Sequence, residues 1–436
     1  MTLKKQSQLL ARVNFPLYTV QCLSERHVLV AGGGGGAKTG VPNVIQIYEL
    51  IHDGVTCRAE SITHYETGSE ATRNCAIHDA GKYKILFAGM EGNCHTYKIK
   101  HEMIVEKETI IKESKDKHAK STVRKRIVET ESVEENQVDP KKYEKEDANA
   151  NVIHSSSKLQ FCIHNLDSFQ TDFSEEPFQK VVRFSRSSSL LTTAGADGHI
   201  RIWKFPELKK IHDIEAHSDE VDDLDICPLG KKIVSISRDG HGKIWNAENG
   251  SLVTELNYVL PSKSTAKYIF RSCRFGIVED KNDLALFATL NPRERSKPPM
   301  CSYICKWDTK EFLLQKIVSA GKDMLTTMAI SDNGHFIGLG TLEGSVKIYI
   351  AFSLQKLYNV NHVHGIFVTG LEFLPTREET RRITGGQEAS LISISVDNHI
   401  VIHHIPMKAS IGYLTFIMLL IIFLFLVFVM MDYFNL

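Results

Sequence analysis

Short apolar stretches alternate with turn-forming residues along most of the chain. Within each stretch, apolar and polar positions alternate with a period of two, which puts successive side chains on opposite faces of a strand. Two segments are near copies: AGADGHIRIW (Ala194–Trp203) and ISRDGHGKIW (Ile236–Trp245). Asp197 and Asp239 lie 42 residues apart, as do Trp203 and Trp245, and in each copy the acid precedes the aromatic by six. The same spacing of six links Glu91 to Tyr97, Glu343 to Tyr349 and Asp397 to His403, and Trp307 stands 42 residues before Tyr349. Asp-Gly is a strong two-residue turn, because Gly takes positive φ without a Cβ clash. Each unit therefore reads as a hairpin, preceded by a further short strand such as Val181–Ser185, Val221–Cys227 or Thr326–Ser331. A period of about 40–45 residues with four short strands per unit predicts the blades of an all-β, WD-type propeller.

The ends Tyr48, Tyr97, Trp203, Trp245, Trp307, Tyr349 and His403 count seven units, which fill residues 1–406 as one ring. Spacing alone leaves eight blades open. No fourth strand is evident after Met407, so residues before Leu17 are expected to supply it and close the ring. Residues 101–157 break the period. Across 101–150, 11 residues are Lys or Arg and 13 are Asp or Glu, with one Tyr and no Phe or Trp. Such a segment buries too little apolar surface to offset its ordering entropy. It is expected as a disordered charged insertion between the third strand (Cys94–Lys100) and the fourth strand (near Leu159–Asn165) of unit two. Its basic centre, Lys120–Ile127, suits anionic lipid, but a solvated spacer is the simpler reading.

The pattern changes at the C-terminus. From Ile411 to Met431, 21 residues carry no charge, and about 20 apolar residues cross a bilayer core. This predicts a single-pass transmembrane helix over 409–431 and a short lumenal tail over 432–436. Lys408 and five His between 362 and 404 precede the span, which puts the propeller in the cytosol.

Composition narrows the function. Among 436 residues, Lys plus Arg and Asp plus Glu are 52 each. Zero net charge weighs against nucleic acid as a partner. The nine Cys are odd in number and irregularly spaced, which favours reduced thiols. Cys301 and Cys305 have no second pair to complete a zinc site. Spacing supports no Ser-His-Asp or paired-carboxylate constellation, so covalent catalysis has no candidate.

The outstanding local feature is AGGGGGAKTGVPN, Ala31–Asn43. A P-loop requires Gly-Lys-Ser/Thr at the start of a helix. Here Ala37 replaces that Gly, and Pro42 with the alternating Val44–Tyr48 specifies a strand instead. In the repeat register the run is an enlarged turn between the second strand (His27–Ala31) and third strand (Val44–Glu49) of unit one. Five successive glycines add conformational entropy and no packing. Such a turn suits backbone that approaches something closely, either a cation held by carbonyls or a protein partner.

This loop in the first unit, seven divergent WD-type units and an apolar segment directly after the last one together resemble one family: the endoplasmic-reticulum exchange factors for the Sar small GTPase, which starts COPII coat assembly. Phe169–Ser185 and Thr193–Trp203 are similar to that family as well, and the likeness covers the cytosolic chain outside residues 101–157. The resemblance implies a non-covalent exchange factor, single-pass in the endoplasmic-reticulum membrane, that acts on the GDP-bound and nucleotide-free GTPase in export to the Golgi. It implies that the loop inserts at the nucleotide site and folds around potassium. Carried over, Lys38, Thr39 and Asn43 are the polar contacts. Gly33, Gly34, Gly35, Gly36, Ala37, Gly40, Val41 and Pro42 form the rest of the GTPase-binding loop. Gly34, Gly35, Gly36 and Thr39 would supply oxygens to the potassium ion. Fungal members of that family carry a large lumenal domain, and with five residues after the expected span no lumenal role is expected here. A non-catalytic membrane-anchored scaffold, a DNA-binding transcriptional regulator and a P-loop NTPase stand as alternatives.

Overall fold

The computed structural model describes residues 7–37, 40–112, 124–133, 153–261, 266–277, 284–294, 297–407 and 413–434. Seven antiparallel sheets follow one another in the chain. Blade 1 comprises Leu17–Cys22, His27–Gly32, Val44–His52 and Cys57–Glu66, strands a to d from the centre outward. The innermost strands of blades 2 to 7 are Asn74–Asp79, Gln179–Ser185, Val221–Ile226, Tyr268–Ile277, Leu325–Ile330 and Val368–Phe373. All seven aromatic or imidazole ends fall on the third strand of their blades. Core clusters lie between neighbouring blades; one joins Val234, Ile244 and Leu256 of blade 4 to Phe270, Leu286 and Trp307 of blade 5.

Ring closure follows the expectation. Ser7–Arg12 pairs antiparallel with His399–Pro406 and is the outer strand of blade 7, with Ser7 opposite His403 and Arg12 opposite His399. The first strand of the chain thereby completes the last blade.

The six-residue spacing between acid and aromatic has a second cause beyond the turn. In blade 4, His217 bridges Asp239 (2.9 Å) and Ser235 (2.8 Å), and the Ser235 hydroxyl accepts from Trp245 Nε1 at 2.8 Å. In blade 7, His364 joins Asp397 and Ser393, and Ser393 meets His403, which stands where blade 4 has Trp. Tyr358 lengthens that relay through His403 Nδ1 at 2.9 Å. No Ser-His-Asp grouping was expected from spacing, yet the fold makes two. Ser235 and Ser393 are fully buried, with no room for a substrate, so both are struts that tie the outer loop to the blade. His364, Asp397 and His399 also come within 4.8 Å of one another. Both His364 nitrogens are occupied by this relay, so the group is a brace and not a ligand cage.

Two expectations need correction. The insertion is not irregular throughout: the third strand of blade 2 runs on as Asn93–Lys112, the fourth is Ile153–Gln170, and Arg124–Val133 pairs with the extension. Strand-favouring residues on either side of Glu106–Glu108, namely Met103, Ile104 and Val105, then Thr109, Ile110 and Ile111, suit the strand despite the surrounding charge. Residues 113–123 and 134–152 of the insertion lie outside the described residues. At the C-terminus a helix spans Tyr413–Phe434, so the expected tail starts as helix. Among the described residues no helix is long and apolar enough to cross a membrane, and the span expected at 409–431 rests on the sequence.

Candidate functional site

The glycine run leaves the second strand of blade 1 with almost no space beside it. A Cβ on Gly32 would lie 3.1 Å from Leu17 Cα, and one on Gly33 (φ +143°) 2.6 Å from Asn43 Cα. Gly33 N–H donates to Pro16 O at 3.0 Å, which fixes where the loop departs. Glycine is required here because the outgoing and returning backbones touch.

Asn43 holds the loop's shape. It is 5 % exposed. Its Oδ1 accepts from Gly35 N–H at 2.8 Å, while its Nδ2 donates to Gly35 O (3.2 Å) and Gly68 O (2.9 Å). Thr67 N–H donates to Asn43 O at 2.9 Å. One side chain thus ties the glycine loop to the 67–73 segment between blades 1 and 2. Arg73 lies on the far side, its guanidinium 4.3 Å above the Tyr18 ring and beside Gly35. Val41 packs into the core cluster of blade 1, which anchors the returning arm, and Pro42 is half-buried next to it. The tip is open: Gly36, Ala37 and Gly40 are exposed, and Gly40 has φ +77° with nothing within 4 Å of where a Cβ would stand.

The loop residues are therefore brought together on one face, but with different duties. Asn43, expected as a contact for a partner, faces inward. Lys38 and Thr39 lie outside the described residues. Gly34 and Gly36 carbonyls take no hydrogen bond among the described residues. Sequence reasoning missed Arg73, Tyr18 and Gly68, because they reach the loop from neighbouring segments and carry no motif.

The ring's centre holds a second polar region, a channel of about 420 Å³. Asp223 accepts from Arg183 (3.1 Å), from Arg274 and from Cys273 N–H (3.2 Å), and Asp225 accepts from Phe275 N–H at 2.8 Å. Burial lifts the Glu372 carboxyl to about 7. Arg183, Asp223, Asp225 and Arg274 are paired across blades 3, 4 and 5 and hold those inner strands together, while Glu372 stands on the innermost strand of blade 7.

The family model described as WD domain, G-beta repeat matches residues 180–204 and 208–246. The WD40 β-propeller domain of Doa1 superimposes with a TM-score of 0.54 at 11 % identity, covering 91 % of this chain and 97 % of that one, which shows the fold. The guanine nucleotide-exchange factor SEC12 of Mus musculus is 36 % identical over 92 % of this chain and 91 % of its own length. The SEC12 of Rattus norvegicus is 35 % identical over the same shares. SEC12-like protein 1 of Arabidopsis thaliana is 27 % identical over 45 % of this chain.

Proposed function

Because the chain belongs to the SEC12 family of guanine nucleotide-exchange factors, we propose that it releases GDP from a Sar-type small GTPase through the glycine loop of blade 1. The observation that carries this assignment to the loop is the Asn43 clamp, which holds an exposed glycine tip in one shape before any partner arrives. Preorganisation of this kind lowers the ordering cost of binding. Lys38 and Thr39 at the tip are the polar groups offered to the GTPase, with Gly36, Ala37 and Gly40 allowing close backbone approach.

The mechanism is linkage. A protein that binds the nucleotide-free GTPase better than the loaded form lowers nucleotide affinity by the same factor. The loop and the nucleotide compete for one site, no bond is made or broken, and no general base is needed. The donor set of the loop is neutral oxygen, with the Gly34 and Gly36 carbonyls unengaged among the described residues, which suits a weakly hydrated monovalent cation. Potassium held by Gly34, Gly35, Gly36 and Thr39 would supply a fixed positive charge at the tip. The apolar helix Tyr413–Phe434, with Met418 to Met431 exposed, supports anchorage in the endoplasmic-reticulum membrane, with the propeller in the cytosol and activity at the start of COPII assembly. Anchorage raises the local concentration of a membrane-recruited GTPase.

Release of a fluorescent GDP from a purified Sar-type GTPase tests the reading, with Lys38→Ala and Asn43→Ala compared in potassium buffer. Acceleration by the native chain that is lost in both variants is the expected result. Acceleration that survives both variants moves the activity elsewhere on the ring, and none at all leaves a non-catalytic scaffold.

A further inference from the structure

The two faces of the ring differ in what their loops expose. Loops joining second to third strands, and fourth strands to the next blade, lie on the face with the glycine loop. The other loops lie on the opposite face. Five turn tips on that opposite face hold up large apolar side chains: Val55 (82 % exposed), Leu229 (63 %), Leu313 (61 %), Phe352 (55 %) and Met407 (51 %). They belong to blades 1, 4, 5, 6 and 7, an unbroken arc of the ring. Turn tips ordinarily carry Gly, Pro, Asn, Asp or Ser, and single exposed apolar residues are otherwise scattered over a surface. On the glycine-loop face the comparable positions are three, Val259, Ile366 and Phe173, and they form no such arc; Phe173 lies under Arg201 at 4.7 Å as Phe352 lies under Lys306 at 5.3 Å.

The path of the chain says what meets this arc. The third strand of blade 7 ends at Pro406 on the same face, and the apolar helix begins at Tyr413. The seven residue steps from Pro406 to Tyr413 reach at most about 25 Å when fully extended. Wherever the helix is embedded, this face lies directly beside it.

We infer that the arc of Val55, Leu229, Leu313, Phe352 and Met407 rests in the interfacial layer of the bilayer that holds the C-terminal helix. This rests on the anchorage proposed above. Apolar side chains at the headgroup boundary add membrane contact in proportion to the area they bury. Five tips around one rim fix the tilt of the propeller as well as its height, and they turn the glycine loop away from the lipid.

The test uses the full chain in phosphatidylcholine vesicles, with Phe352→Trp and Leu313→Trp on the arc and Val259→Trp on the other face. Trp203, Trp245 and Trp307 are buried and give a constant background. Flotation first reports whether the chain is held by the membrane. Brominated lipid is then expected to quench the added emission of F352W and L313W, with a shift to shorter wavelength, and to leave that of V259W unchanged. Flotation without selective quenching on the arc overturns the inference and leaves anchorage standing. Failure to float overturns both.

Discussion

The amide of Asn43 makes three hydrogen bonds to backbone, two of them to Gly35, and it makes them in a buried setting. Removing a buried partner costs about 1–3 kcal/mol per group left unsatisfied. Asn43→Ala is therefore expected to lower stability by roughly that amount while abolishing most nucleotide release, measured by urea unfolding beside GDP release. Asn43→Asp sharpens the test. It keeps the acceptor for Gly35 N–H but sets a carboxylate against the carbonyls of Gly35 and Gly68, so it should fail as badly as Ala. A residue acting only as a polar contact for a partner would tolerate that change better. Gly33→Ala and Gly40→Ala form a second pair. Both sites have positive φ, but only Gly33 faces backbone at 2.6 Å. Gly40→Ala is expected to cost about 1–2 kcal/mol of loop strain and keep partial activity. Gly33→Ala should displace Asn43 and lose activity outright. The sequence marked Asn43 as polar and near the loop. It was silent on burial, because Gly68 lies 25 residues away and presents only a carbonyl.

Strand by strand, the alternation and the acid–aromatic spacing placed five blades, while the aromatic ends Tyr48 and Trp307 marked the other two and the missing fourth strand pointed to the N-terminal strand that closes the ring. What spacing did not contain was the relay from Asp397 through His364, Ser393 and His403 to Tyr358, whose members come from two adjacent blades. Nor did charge counting anticipate the strand that runs on to Lys112. The relay has a pH signature. Burial lowers His403 to about 3, so the folded protein keeps it neutral while the unfolded chain protonates near 6.5. Stability from this group is complete above about pH 6.5 and falls as pH drops toward 3, by about 1.4 kcal/mol per unit. His403→Gln cannot titrate. Its urea midpoint is expected to fall less than the native one between about pH 7 and pH 5, even though it starts lower. Closure has its own test. Gln8 reaches across to Cys57 in blade 1, donating to its carbonyl and accepting from its N–H at 3.3 Å. Gln8→Ala should destabilise by about 1–2 kcal/mol without altering GDP release at moderate temperature.

For the whole molecule, the arrangement separates tasks by face. The glycine loop occupies one face, and the blade 2 extension and the exit to the C-terminal helix occupy the other. Joining the extended strands directly, with a tight turn after Glu102 leading into Gln160, which oppose each other in the ladder, is expected to leave GDP release in solution unchanged. A slower rate would show that the extension reaches the GTPase. The seam between the strands Ser7–Arg12 and His399–Pro406 also sets a schedule for biosynthesis. The first strand to leave the ribosome has no partner until nearly the entire chain has followed it. At roughly 5–20 residues per second, that wait is on the order of tens of seconds. Throughout it, an unpaired edge with Leu10 on it is open to wrong pairing. The ring can lock only once His399–Pro406 has emerged, so the last-made strand of the propeller is the one that completes it.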